Sequence, residues 1–233
     1  FRHGSFGDMT VVGGSARRER KSLAVRRAAV GVIVVGALVG TMWGFPFVSF
    51  IRDELHIHCQ MPAPGVEGAG EWACPDEISY LSTAAVFGSV WLFALVVGAL
   101  IAGLARSPRM AQVGLVLLAA VAVAVNLVLT GVGSLAFVGD QHAPLSGADY
   151  WRAAVGPAAL VALAGIGVAL ATLPSTQRLA RVLPVVGAIL LVLATVLQPG
   201  LGVIALLSAA ILMAASLRSD EMSGNKTREA ARA

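Results

Sequence analysis

"VLPVVGAILLVLATVLQPGLGVIALLSAAILMAASL", residues 182–217, is a run of 36 residues without a charged side chain. A helix crossing a hydrocarbon layer of about 30 Å needs about 20 apolar residues, so this block is too long for one span. At its middle stands "QPG", 198–200. Proline removes a backbone donor and clashes with the preceding turn, and glycine permits a tight reversal. The block therefore divides into spans over 182–198 and 201–217, each about 25 Å long at 1.5 Å per residue. The competing reading is a single kinked helix.

Four further apolar segments precede it, at 28–48, 81–104, 110–137 and 153–173. The chain of 233 residues is 57% hydrophobic and only 13% charged. A soluble domain carries about 25% charged residues. The expected fold class is an all-α integral membrane protein, a bundle of six transmembrane helices, with five as the alternative.

Charge placement tests the count, because cytoplasmic loops are enriched in Lys and Arg. "RRERKSLAVRR" (17–27), Arg106 and Arg109, Arg178 and Arg181, and the tail with Arg218, Lys226, Arg228 and Arg232 are the basic segments. Six spans put all of them on one side, with both termini cytoplasmic; five would send the tail outside. The expected organisation is a basic N-terminal segment over 1–27, a helical bundle over 28–217 with an outer loop at 51–79, and a cytoplasmic tail over 218–233. Residues 1–8 precede the first methionine and are set aside as a candidate non-native extension. The apolar run from Ala28 exceeds a signal-peptide core, so a retained helix is expected.

Aromatic side chains favour the headgroup level. Trp43, Phe45, Phe47, Phe50, Tyr80, Tyr150 and Trp151 all fall at the expected outer boundary. The basic cluster at 17–27 suits anionic lipid. It is short and has no interleaved aromatics, so no nucleic-acid partner is expected. With 15 Arg against 2 Lys and abundant Ala, Val and Gly, the composition suggests a GC-rich bacterium, and the expected location is its plasma membrane.

Gly36, Gly40 and Gly44 repeat at four-residue spacing and share one helix face. Such a face lets another helix approach closely; inside the protein is the first expectation and a second subunit the next. Asn126 and Thr130, extended by Ser134, form a polar helix face. They are the candidates for a polar cavity, against the plainer reading of an interhelical hydrogen bond.

No ionisable residue falls in the middle of a span, which argues against a proton-driven pump. P-loop, GxSxG, HExxH and Rossmann patterns are absent. The chemistry-bearing residues gather in one place, "ELHIHCQMPAPGVEGAGEWACPDE" (54–77), with both cysteines and two of the four histidines. An oxidising outer face favours a structural disulfide between Cys59 and Cys74. A quinone-linked thiol enzyme usually needs a C-x-x-C pair and a second pair, which this chain lacks. A metal set would use His56, His58 and His142, with Cys59, Asp53 or Asp140 beside them. An extended segment would turn His56 and His58 to one side.

No cofactor is implied. The leading expectation is a non-enzymatic accessory or assembly subunit of a larger membrane complex, docking through the disulfide-closed outer loop onto partner subunits. The alternative is a transporter or permease component for a neutral or lipid-like substrate. The third is an extracytoplasmic thiol-redox or metal-binding membrane protein.

Overall fold

The computed structural model describes residues 9–137 and 142–230. Among the described residues seven α-helices follow one another: α1 Met9–Met42, α2 Gly44–Ser49, α3 Leu81–Leu104, α4 Pro108–Phe137, α5 Gly147–Leu170, α6 Gln177–Leu197 and α7 Gly202–Ala230. Among the described residues there is no strand, only an antiparallel bridge between Gln60 and Ala73. Six stretches of the described residues, at 19–42, 78–104, 108–135, 147–170, 178–197 and 199–219, are long and apolar enough to cross a membrane.

The 182–217 block does divide at QPG. Helix α6 ends at Leu197, Gln198 is extended at φ −138° and ψ 94°, and Pro199–Leu201 forms a 3-10 turn into α7. Pro199 enters at the first position of that turn, where its missing N–H costs no hydrogen bond. Gln198 Oε1 accepts from the Gly200 N–H at 3.2 Å, so the side chain caps the turn that its own residue opens.

Helix α7 is the axis of the bundle. Its apolar window is 78% buried, against 17% for the span containing α3. It packs on α1, α4 and α6, and more lightly on α3. Leu207, Ile211, Leu212, Ala214 and Ala215 are fully enclosed, so α7 is apolar on nearly every face over residues 202–217, as a surrounded helix must be.

The glycine face of α1 meets this axis. A Cβ on Gly36 would overlap the Ala210 methyl, and one on Gly40 would stand 2.9 Å from the Val203 carbonyl oxygen. Gly44 has open space around it. The expected three-glycine groove is therefore a two-glycine contact inside the protein. A second close crossing joins α5 to α6. A Cβ on Gly165 would lie 2.9 Å from the Gly187 carbonyl oxygen, and one on Gly187 2.7 Å from that of Gly165. Where both flanking media are apolar, such close approach gains dispersion contact without a hydrophobic driving force.

The first span differs from its expected 28–48 limits. Helix α1 stops at Met42, Trp43 turns, and α2 restarts at Gly44. Pro46 explains the break: it has no N–H for the Met42 carbonyl, yet it is tolerated in the first turn of a new helix. At the other end, α1 begins at Met9 and carries the basic segment as helix.

Two buried hydroxyls of α4, on Thr130 and Ser134, join it to the start of α5. Thr130 Oγ1 accepts from Trp151 Nε1 at 3.1 Å, which ties α4 to α5. The same hydroxyl donates to the backbone carbonyls of Asn126 and Leu127 at 3.0 Å. Ser134 donates to the Gly147 carbonyl at 2.7 Å. An apolar groove of about 420 Å³ lies between α3 and α4, bordered by Phe93, Ala94, Leu118 and Ala122. Neither Asn126 nor Thr130 lines it.

At the end of the bundle bearing the short basic loops, cationic side chains cap helix termini. Arg218, expected at the start of the cytoplasmic tail, is fully buried. It donates from Nη2 to the Ala105 carbonyl at 2.6 Å, at the C-terminus of α3. Arg109 donates to Leu173 O at 3.2 Å beyond the end of α5. Cations at helix C-termini satisfy exposed carbonyls and complement the macrodipole.

Candidate functional site: the disulfide-closed loop

The segment joining α2 to α3 starts as a π-helical turn, Phe50–Glu54, and ends as a 3-10 turn, Glu77–Tyr80. Between them Cys59 and Cys74 are bonded, with Cα atoms 4.2 Å apart. Next to the disulfide, Gln60 and Ala73 exchange two backbone hydrogen bonds, at 3.0 and 2.9 Å. The residues beyond them form a tip built from successive turns. Gly65, Gly68 and Gly70 have φ of 91°, 84° and 90° there, values that a side chain would strain.

Below the disulfide the loop is packed rather than loose. Tyr80 is buried and donates from its hydroxyl to the Ile57 carbonyl at 3.0 Å. Phe50, Ile51, Leu55 and Ile57 are buried with it. A Cβ on Gly200 would overlap the Phe50 ring, so the π-helical turn sits directly on the QPG turn. Gln198 fastens the two: its Nε2 donates to Glu54 Oε2 at 2.7 Å and to the Ala154 carbonyl at 3.0 Å. Tyr80 and Phe50, expected in an interfacial belt, are instead core residues of the junction between loop and bundle.

Among the described residues the loop histidines are held by aromatic packing and do not converge. His56 and His58 have positive φ, 51° and 67°, so the segment is not extended. His56 stacks on Trp72, with ring centroids 4.2 Å apart and planes 28° apart. It also tilts against Tyr150 at 4.9 Å, and Trp72 meets Tyr150 edge-on at 5.9 Å. His58 lies edge-on to Tyr80 at 6.0 Å. His142 is exposed, Cys59 is consumed in the disulfide, and Asp140 lies outside the described residues. Among the described residues no three His, Cys, Asp or Glu side chains converge as metal ligands. Burial lowers the His56 pKa from its ordinary value, outweighing the nearby Glu54 carbonyl and the Asp53 charge, which raise it.

Beside this aromatic cluster the loop opens into a polar cup of about 620 Å³. Its wall includes Arg52, Asp53, His56, Trp72, Pro75 and Asp76. Arg52 Nε donates to Asp53 Oδ1 at 2.7 Å. Sequence reasoning found the cysteines and histidines of this region but not the cup. Asp53 and Asp76 are far apart along the chain, and the Cys59–Cys74 disulfide with the Gln60–Ala73 bridge brings them to one wall. The sequence signal was the high density of acids around the cysteines.

Comparison with protein-family models, with curated proteins and with solved structures finds no match.

Proposed function

We propose that the chain is a non-enzymatic, multi-pass subunit of a larger complex in a bacterial plasma membrane, docking through its disulfide-closed loop. The observation that carries this reading is the way the loop is held. Disulfide, backbone bridge, aromatic stack and the Gln198–Glu54 bond fix one surface in place before any partner arrives. Preorganisation of this kind lowers the ordering cost of association. Lys and Arg enrichment in the opposite loops supports an orientation with that surface outside and both termini in the cytoplasm. The basic N-terminal segment then faces the anionic lipid of the inner leaflet.

A transporter would use Asn126 and Thr130 to line a polar path. The engagement of the Thr130 hydroxyl by Trp151 favours the packing role instead. The test is purification from native membranes in mild detergent, followed by mass spectrometry. A stoichiometric partner supports the reading; a chain that elutes alone defeats it.

A further inference from the structure

The polar cup on the loop combines acidic and aromatic side chains in one wall. Two carboxylates, Asp53 and Asp76, share its wall with the indole of Trp72 and the imidazole of His56. Arg52 is the cation in the wall, and it is engaged by Asp53. Asp76 is exposed, and among the described residues no hydrogen bond or ion pair engages its carboxylate. The surroundings share this sign: residues 51–79 hold six acids against one arginine, in a chain whose net charge is +4. The disulfide and the His56–Trp72 stack hold Trp72 in the wall that also carries Asp76.

An acid next to an aromatic face is the chemistry that receives an organic cation. The ring quadrupole attracts a guanidinium or ammonium group, and a carboxylate supplies charge-assisted hydrogen bonds. A hard divalent metal prefers six or more oxygen ligands, and no three candidate ligands converge here among the described residues. We infer that the cup binds an organic cation, a guanidinium or ammonium group, lying against Trp72 and bonded by Asp76. The group comes either from an Arg or Lys side chain of a protein or from a free small cation. The inference does not depend on the docking reading, because a free solute satisfies it equally.

Titration of the purified full chain in nanodiscs with arginine amide, tetramethylammonium and calcium chloride tests it. Arginine amide is expected to saturate. Asp76→Asn, which keeps the shape of the side chain, is expected to weaken binding at least tenfold. Trp72→Phe keeps a weaker aromatic face and is expected to weaken binding several-fold. Glu67→Gln removes the same charge from the same loop outside the cup wall and is expected to change binding less than twofold. A short arginine-containing peptide that binds at least tenfold tighter than arginine amide points to a protein side chain as the source; equal affinity points to a free cation. The inference is overturned if arginine amide does not saturate, if Asp76→Asn and Glu67→Gln weaken it equally, or if calcium saturates the cup and the organic cations do not.

Discussion

Gln198 donates from Nε2 to the Glu54 carboxylate at 2.7 Å across 144 residues of sequence, and it is the joint between the loop and the axis of the bundle. The same side chain holds the Ala154 carbonyl and the Gly200 N–H. One residue thus ties together the π-helical turn, α5 and the QPG reversal. Gln198→Leu removes all three bonds. Because Glu54 is exposed, the expected cost is modest, about 1–2 kcal/mol. Thermal unfolding in detergent should show the loss, and amide exchange should rise over residues 50–59. An unchanged exchange rate there would mean that the joint does not hold the loop.

Reduction of the Cys59–Cys74 disulfide, or a Cys59→Ser/Cys74→Ser double variant, releases the unfolded loop from its closure. The chain-entropy model gives about 3 kcal/mol for a loop of about 15 residues. The effect should appear as faster exchange at 58–75 with the helical spans unaffected. Maleimide should label neither cysteine in the native protein without reductant.

Gly187→Val places a side chain against the backbone of α5, where even a Cβ stands 2.7 Å from the Gly165 carbonyl oxygen. Overpacking there is expected to cost about 1–3 kcal/mol or more. Gly44→Ala meets nothing within 4 Å. It should be neutral or slightly stabilising, because alanine is the better helix former. Equal thermal stability of the two variants would contradict the close crossing.

The aromatic stack should respond to acid. Burial lowers the His56 pKa below 6.5, so protonation is harder in the fold than in the unfolded chain. The unfolded chain then binds more protons, and stability falls as pH drops. The contribution of the stack is complete above pH 6.5 and is lost as pH falls through the lowered folded value. Thermal stability of the native chain should therefore decline more steeply below that pH than that of His56→Gln. Parallel profiles would assign the acid sensitivity elsewhere.

Much of this architecture was legible in the sequence, and the rest was hidden for physical reasons. Span number followed from hydropathy and from Pro199–Gly200, because backbone chemistry at a reversal is local. The disulfide followed from there being two cysteines on one loop. The close Gly165–Gly187 crossing was not legible, since one glycine among 26 does not announce which helix it faces. In the sequence Arg218 reads only as a basic marker of the tail, because its burial depends on where the end of α3 arrives. His56 and His58 looked like ligands by type. Their left-handed backbone, and the Trp72 and Tyr150 rings against His56, are tertiary facts.

The docking surface is tested most directly by photocrosslinking in native membranes. Val66→p-benzoylphenylalanine puts the probe at the exposed tip of the loop, and Leu160→p-benzoylphenylalanine puts it on the exposed face of α5. The account predicts that the tip probe captures one defined protein in high yield, and that capture falls sharply in the Cys59→Ser/Cys74→Ser background. Capture of lipid alone from position 66, or the same protein captured equally with the loop unpinned, would contradict it.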